Sequence, residues 1–208
     1  TALFQQLLLV VLLSMLATPL LARKAEKLAK SQHGERQEPE TIAEAPIVLA
    51  GFGRVGCNVG EILTRSGKSF VALDADPEVV KRERANGHPV YFGDVRKPEV
   101  LISAGATNAQ VIIVTINDSK ATEAIVASLR RTYPKKHIYA RGLGLPQCQS
   151  LSDLGANGVV SENLEASLEL ARMALADMGV SDAILLDTID RFRQRYQSRI
   201  KRTKLDEP

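Results

Sequence analysis

Tryptophan is absent from this chain, which has only four tyrosines and five phenylalanines. Surfaces that read nucleic acid stack bases on such rings, and few are on offer here. Excess charge of one sign is also missing: 27 basic against 24 acidic residues leave a net of +3, too little to grip a phosphate backbone. Nucleic acid is therefore excluded as a partner. Cysteine is scarce, and Cys57 and Cys148 are scattered without metal-ligand spacing, which suits a reduced, intracellular protein. No Walker-type Gly-Lys-Ser/Thr, Ser-His-Asp order or metal cluster occurs. His33, His88 and His137 have no obvious carboxylate partner in the sequence, which points to surface or structural roles. An initiator Met is missing as well: the chain opens on Thr1, as a piece of a longer protein would.

What is present begins with an uncharged run, Ala2–Leu21, whose only polar residues are Gln5, Gln6, Ser14 and Thr18. At about 1.5 Å per residue it reaches roughly 30 Å, the hydrocarbon thickness of a bilayer. Residues 1–22 are thus expected to form a transmembrane helix. The positive charges come after the run, at Arg23, Lys24, Lys27 and Lys30. That order is the reverse of a signal peptide's and places the C-terminal end of the helix in the cytoplasm. Residues 23–45 read as a charged linker, with breaks at Ser31–Gly34 and Glu38–Glu40.

From Ile47 to Met178 strand and helix alternate. Short apolar, β-rich runs lie at Ile47–Ala50, Phe70–Asp74, Pro89–Phe92, Val111–Ile116, His137–Ala140 and Gly158–Val160. Helical stretches fall between them, near 54–66, 77–86, 97–104, 119–132, 147–154 and 163–178. Six such units predict an α/β fold, a doubly wound, mostly parallel Rossmann sheet of six strands over residues 46–180. Residues 181–208 add an amphipathic helix and tail. Its stripe of Leu185, Ile189, Phe192, Tyr196 and Ile200 suits packing on its own domain, on a second copy or on an anionic membrane surface.

The first strand runs into Gly51-Phe52-Gly53-Arg54-Val55-Gly56, which opens a helix. A G-x-G-x-x-G motif between strand and helix is a dinucleotide fingerprint. Gly51 permits the tight turn, Gly53 lets backbone approach a pyrophosphate, and Gly56 lets the helix pack closely. The helix N-terminus supplies free N–H groups and a positive dipole. Asp74 ends the second strand 18 residues past Gly56, placed to accept both ribose hydroxyls and to repel a 2′-phosphate. NAD(H) or an adenine mononucleotide such as AMP or ATP is the expected ligand. Later strand ends add Gly93 and Asp94, Asn117 and Asp118, and Arg141. Asp118 suits either a helix N-cap or a ligand contact. Arg141 suits a phosphate, a facing subunit or a surface salt bridge, and Arg54 a phosphate. A dehydrogenase needs a substrate domain with a proton-transfer group, and only about 30 residues follow Met178. The nucleotide is expected to be sensed, not transformed.

The glycine motif, Leu73–Glu78, Tyr91–Asp94, Ser103–Ala106, Ile138–Arg141 and Gly155-Ala156 occur in the order found in RCK (TrkA-N, or KTN) domains, which residues 46–178 resemble. Leu13–Leu20 resembles the end of the last transmembrane helix of CPA2 antiporters, the Kef-type efflux systems and KEA-type exchangers, and Glu162–Leu168 resembles the same branch. The resemblance implies a dimeric cytoplasmic module that binds NAD(H), AMP or a related nucleotide and gates potassium/proton exchange through an upstream transmembrane domain. Carried over from the resemblance, the nucleotide residues are Gly51, Gly53, Arg54, Gly56, Asp74, Gly93 and Asp94; the whole expected site comprises the six motif residues with Asp74, Asp76, Gly93, Asp94, Asn117, Asp118 and Arg141. Kef-type proteins also bind glutathione through an arginine where Arg141 stands and an asparagine whose place Arg193 takes here; that departure argues against glutathione control. The competing readings are the gating domain of a potassium channel, whose pore helix usually carries a glycine hinge absent from Thr1–Leu21, and a membrane-anchored dehydrogenase.

Overall fold

A computed structural model describes residues 45–202 and the helical pair Gln5–Gln6. Two compact units divide the chain, Thr1–Glu40 and Thr41–Pro208. The expected membrane span and nearly all of the linker lie outside the described residues. Among the described residues, no helix is long and apolar enough to cross a membrane.

Six strands form one sheet: β1 (Ile47–Ala50), β2 (Phe70–Asp74), β3 (Val90–Phe92), β4 (Val111–Val114), β5 (His137–Gly142) and β6 (Gly158–Ser161). All pairings are parallel, in the order β3-β2-β1-β4-β5-β6. The expectation of a mostly parallel sheet is met in full. Parallel strands are covered on both faces and so read as unbroken apolar runs. The two-residue period of β1 divides it between two cores. Val48 and Ala50 face one, with Ile112, Val114 and Ile138; Leu49 faces the other, with Phe52, Phe70 and Ala72.

Helices fill both layers. α1 (Arg54–Arg65) and α2 (Pro77–Ala85) cover the Leu49 face through Val59, Leu63 and Val80. α3 (Pro98–Ser103), α4 (Ser119–Thr132) and α5 (Leu145–Asp153) cover the other through Leu101, Ile125, Val126, Leu129 and Leu151. Their starts are written locally. Asp76 caps α2 by accepting from Glu78 N–H at 2.9 Å, and Pro77 and Pro98 supply the fixed φ of a first helical turn.

α6 (Glu162–Asp177) and α7 (Asp182–Arg202) complete the described chain. α7 packs Leu185, Ile189 and Ile200 inward, with Ile189 against Leu164 and Leu168 of α6. Packing on its own domain is therefore what most of the stripe does. Phe192 departs from it and stands 48% exposed. Arg193 pairs with Glu165 on α6 at 3.0 Å and with Asp190 at 2.9 Å, so it ties the two helices together.

One arginine holds the β5 side of the sheet. Arg130 donates from Nε and Nη2 to Gly155 O at 2.9 and 2.7 Å, from Nη1 to Pro134 O at 2.6 Å, and from Nη2 to Asn157 Oδ1 at 2.7 Å. Removing it strands several acceptors at once. Arg130→Met is expected to cost about 2–3 kcal/mol of stability, read from urea unfolding of residues 41–208.

Candidate functional site

The register sets the carboxyl ends of the central strands level. Ala50 pairs with both Leu73 and Val114, and Val114 with Ala140. The residues that follow, Gly51, Asp74, Thr115 and Arg141, consequently rim one crevice. It lies where the strand order reverses between β1 and β4, the usual ligand position in open α/β sheets.

Gly51 takes φ of 99°, a left-handed conformation that other residues rarely adopt. The turn throws Phe52 inward, where its ring stacks 5.9 Å from that of Phe70. Phe52 N–H donates to Asp74 Oδ2 at 2.6 Å, and Asp76 N–H donates to Asp74 Oδ1 at 2.9 Å. Asp74 thereby joins the glycine turn to the end of β2 and keeps lone pairs free for hydroxyl donors. Gly53 precedes α1 with no side-chain cap, which leaves the helix's leading N–H groups to the cleft. A methyl group at Gly53 would meet no atom within 4 Å, so the backbone is open to a close ligand. At Gly56 the same methyl would collide with Gly51 O and come within 2.9 Å of Thr115 Oγ1.

The crevice holds about 350 Å³, at the lower end of small-molecule sites. Of the residues expected from sequence, Gly51, Gly53, Arg54, Val55, Asp74, Asp76, Asp94, Asn117, Asp118 and Arg141 line it. Phe52, Gly56 and Gly93 sit behind the wall. Phe52 is fully buried, Gly56 supports α1, and a side chain at Gly93 would strike Val100 Cγ1 at 2.5 Å. Asp118 also caps α4, accepting from Ala121 N–H at 2.9 Å, while it lines the crevice.

Several lining residues escaped the sequence reading. Val79, Val95, Ile116 and Ala121 give an apolar wall suited to a purine. Arg96 chelates Asp94, with Nε to Oδ1 and Nη2 to Oδ2 both at 2.8 Å. That guanidinium holds the Asp94 carboxyl below its ordinary range. The signal was present in the Asp-x-Arg spacing. Thr115, whose hydroxyl donates to Gly51 O at 2.7 Å, gave none. Arg141 is pinned: its side chain is 9% exposed, forms an ion pair with Glu162, and donates from Nη1 to Asn117 Oδ1 at 2.6 Å. Within the chain Arg141 forms a largely buried ion pair at the edge of the cleft.

These donors fit an adenine nucleotide. The apolar side chains suit a base, the half-buried carboxylate suits a ribose, and the helix N–H groups with Arg54 suit a phosphate.

Residues 47–162 match the TrkA-N domain family. Among curated proteins, the glutathione-regulated potassium-efflux system protein KefC of Cronobacter sakazakii is 34% identical over 187 residues, covering 89% of this chain and 30% of its own length. The chain thus spans less than a third of that relative. Among solved structures, the Shewanella denitrificans Kef C-terminal domain in its AMP-bound form aligns with a TM-score of 0.67 at 26% identity, covering 76% of this chain and 98% of that one. The GsuK channel bound to NAD aligns at 0.51 and 31% identity, covering 55% of this chain and 20% of that one.

Proposed function

The chain belongs to the TrkA-N domain family, and from that premise we propose that it is the nucleotide-sensing regulatory part of a potassium/proton antiporter. The observation that carries the reading is the cleft itself. An uncapped helix start, an open Gly53 and an Asp74 oriented by Phe52 and Asp76 N–H groups converge on one adenosine-sized space. The AMP-bound Kef domain and the NAD-bound GsuK channel support an adenine nucleotide as the occupant. Asp74 disfavours a 2′-phosphate, so NAD(H), AMP or ATP is preferred over NADP(H).

The nucleotide is an effector, neither consumed nor altered. One span cannot form an alternating-access path, so transport belongs to membrane helices upstream of Thr1. The Rossmann domain lies on the cytoplasmic side, and the parent is an integral membrane protein. A second copy docks on the domain; the exposed Leu170, Met173, Met178, Ile184, Leu186 and Phe192 of α6, α7 and the turn between them support such a contact. A ligand that binds one arrangement of the pair better by about 1–3 kcal/mol changes flux roughly 5- to 150-fold.

A channel gating domain is the second reading, favoured by the GsuK likeness. The antiporter is preferred because the KefC match covers 89% of the chain, more than residues 47–208 contain, and so takes in part of the upstream segment. Calorimetric titration of residues 41–208 with AMP, ATP, NAD+ and NADH tests the sensor. Saturable binding of at least one is expected. A folded domain that binds none at millimolar concentration removes the proposal.

A further inference from the structure

α2 ends in a Schellman turn. Gly87, with φ of 85°, donates its N–H to Arg84 O at 2.9 Å, and His88 donates its N–H to Glu83 O at 3.0 Å. The chain therefore doubles back and sets His88 beside Glu83, although five positions separate them. Across the layer, α1 presents Cys57, the residue after Gly56. Its Sγ lies 3.7 Å from Glu83 Oε2. The thiol sulfur, a Glu83 oxygen and an imidazole nitrogen all lie within 4.8 Å of one another.

Glu83 is the buried member. Its side chain is 6% exposed, and buried carboxylates are stable only when paired or bound to metal. Arg82 donates from Nε to Oε1 at 2.8 Å but is itself 61% exposed. Asn86 Nδ2 donates to Oε2 over a long 3.3 Å. Oε2 also accepts the Cys57 thiol over 3.7 Å, so both of its hydrogen bonds are long. Neither the nucleotide cleft nor the sheet uses this group, and none of the three residues lines the cleft.

Thiolate, imidazole and carboxylate are the ligands of zinc-type cations, bound at about 2.3, 2.0–2.1 and 2.0–2.2 Å. Around a tetrahedral ion such atoms stand roughly 3.5 Å apart. From separations within 4.8 Å, the half-buried Cys57 and His88 reach that geometry through small side-chain adjustments. We propose that Cys57, Glu83 and His88 form a binding site for one zinc-type divalent cation, with a water as the fourth ligand. Binding displaces the thiol proton to solvent. The ion ties the first turn of α1 to the end of α2. Because the His88 ring lies 5.5 Å from that of Phe52, it also braces the buried side of the glycine turn.

Cobalt titration of the full 208-residue chain in detergent, with reductant present, tests this site. One Co²⁺ per chain, a thiolate-to-cobalt charge-transfer band and displacement by Zn²⁺ are expected. Cys57→Ser abolishes the band and Cys148→Ser leaves it intact. His88→Ala and Glu83→Gln each weaken Co²⁺ binding at least about tenfold. Should Glu83→Gln fail to fold, the near-isosteric Cys57→Ser and the partly exposed His88→Ala still decide. Absence of the band in the wild-type chain, its survival in Cys57→Ser, or its indifference to His88→Ala overturns the three-residue site.

Discussion

Asp74→Ala weakens adenosine-nucleotide binding by about 10- to 100-fold, measured by calorimetry on residues 41–208. The ribose hydroxyls lose their charged acceptor, a net cost of about 1.5–3 kcal/mol. A second effect adds to this one. Asp74 accepts the Phe52 and Asp76 N–H groups, so alanine strands two donors and loosens the glycine turn that holds phosphate. Stability falls by about 1–3 kcal/mol in consequence. Asp74→Asn retains an acceptor and lies between wild type and alanine. Both variants discriminate less against a 2′-phosphate, because the repelling charge is gone. Unchanged affinity in a folded Asp74→Ala protein would place the ribose elsewhere.

Gly56→Ala should damage the fold and the site together. Its methyl runs into Gly51 O and crowds Thr115 Oγ1, both fixed by the sheet, so α1 has to move away. Overpacking of this kind costs about 1–3 kcal/mol. The displaced helix carries its leading N–H groups off the phosphate position, and nucleotide affinity drops at least about tenfold. Gly53→Ala provides the contrast. There the methyl meets no protein atom, so stability changes by about 1 kcal/mol or less while the ligand's approach is obstructed. Urea midpoints and calorimetry separate the two variants. Equal stability losses at Gly53 and Gly56 would contradict the packing argument.

Local patterns gave most of the secondary structure. β1 and β2 were legible to the residue, because buried parallel strands are unbroken apolar runs between turn formers. The end of β4 was not: the apolar run reaches Ile116, but the strand stops at Val114. Its neighbour β1 turns away at Gly51, so the ladder on that side ends with Ala50 and Val114. β5 runs on to Gly142 because β6 pairs with Arg141 and Gly142. In the site, Asp74 was recoverable from its distance beyond the glycine motif. Phe52, Gly56 and Gly93, expected by motif in the site, do not themselves line the crevice.

Alternating apolar runs, glycine at the first turn and an acid closing the second strand are properties of short segments. Hydrogen bonding and side-chain period act over a few residues, and so the primary structure alone determined the layered α/β architecture and the expected class of ligand. Which groups meet was decided elsewhere. Arg141 with Glu162, Asp74 with Phe52 N–H, and Cys57 with Glu83 and His88 are contacts between separate elements. They depend on sheet register and on how helices seat against it, which no local periodicity encodes and only the packed chain settles.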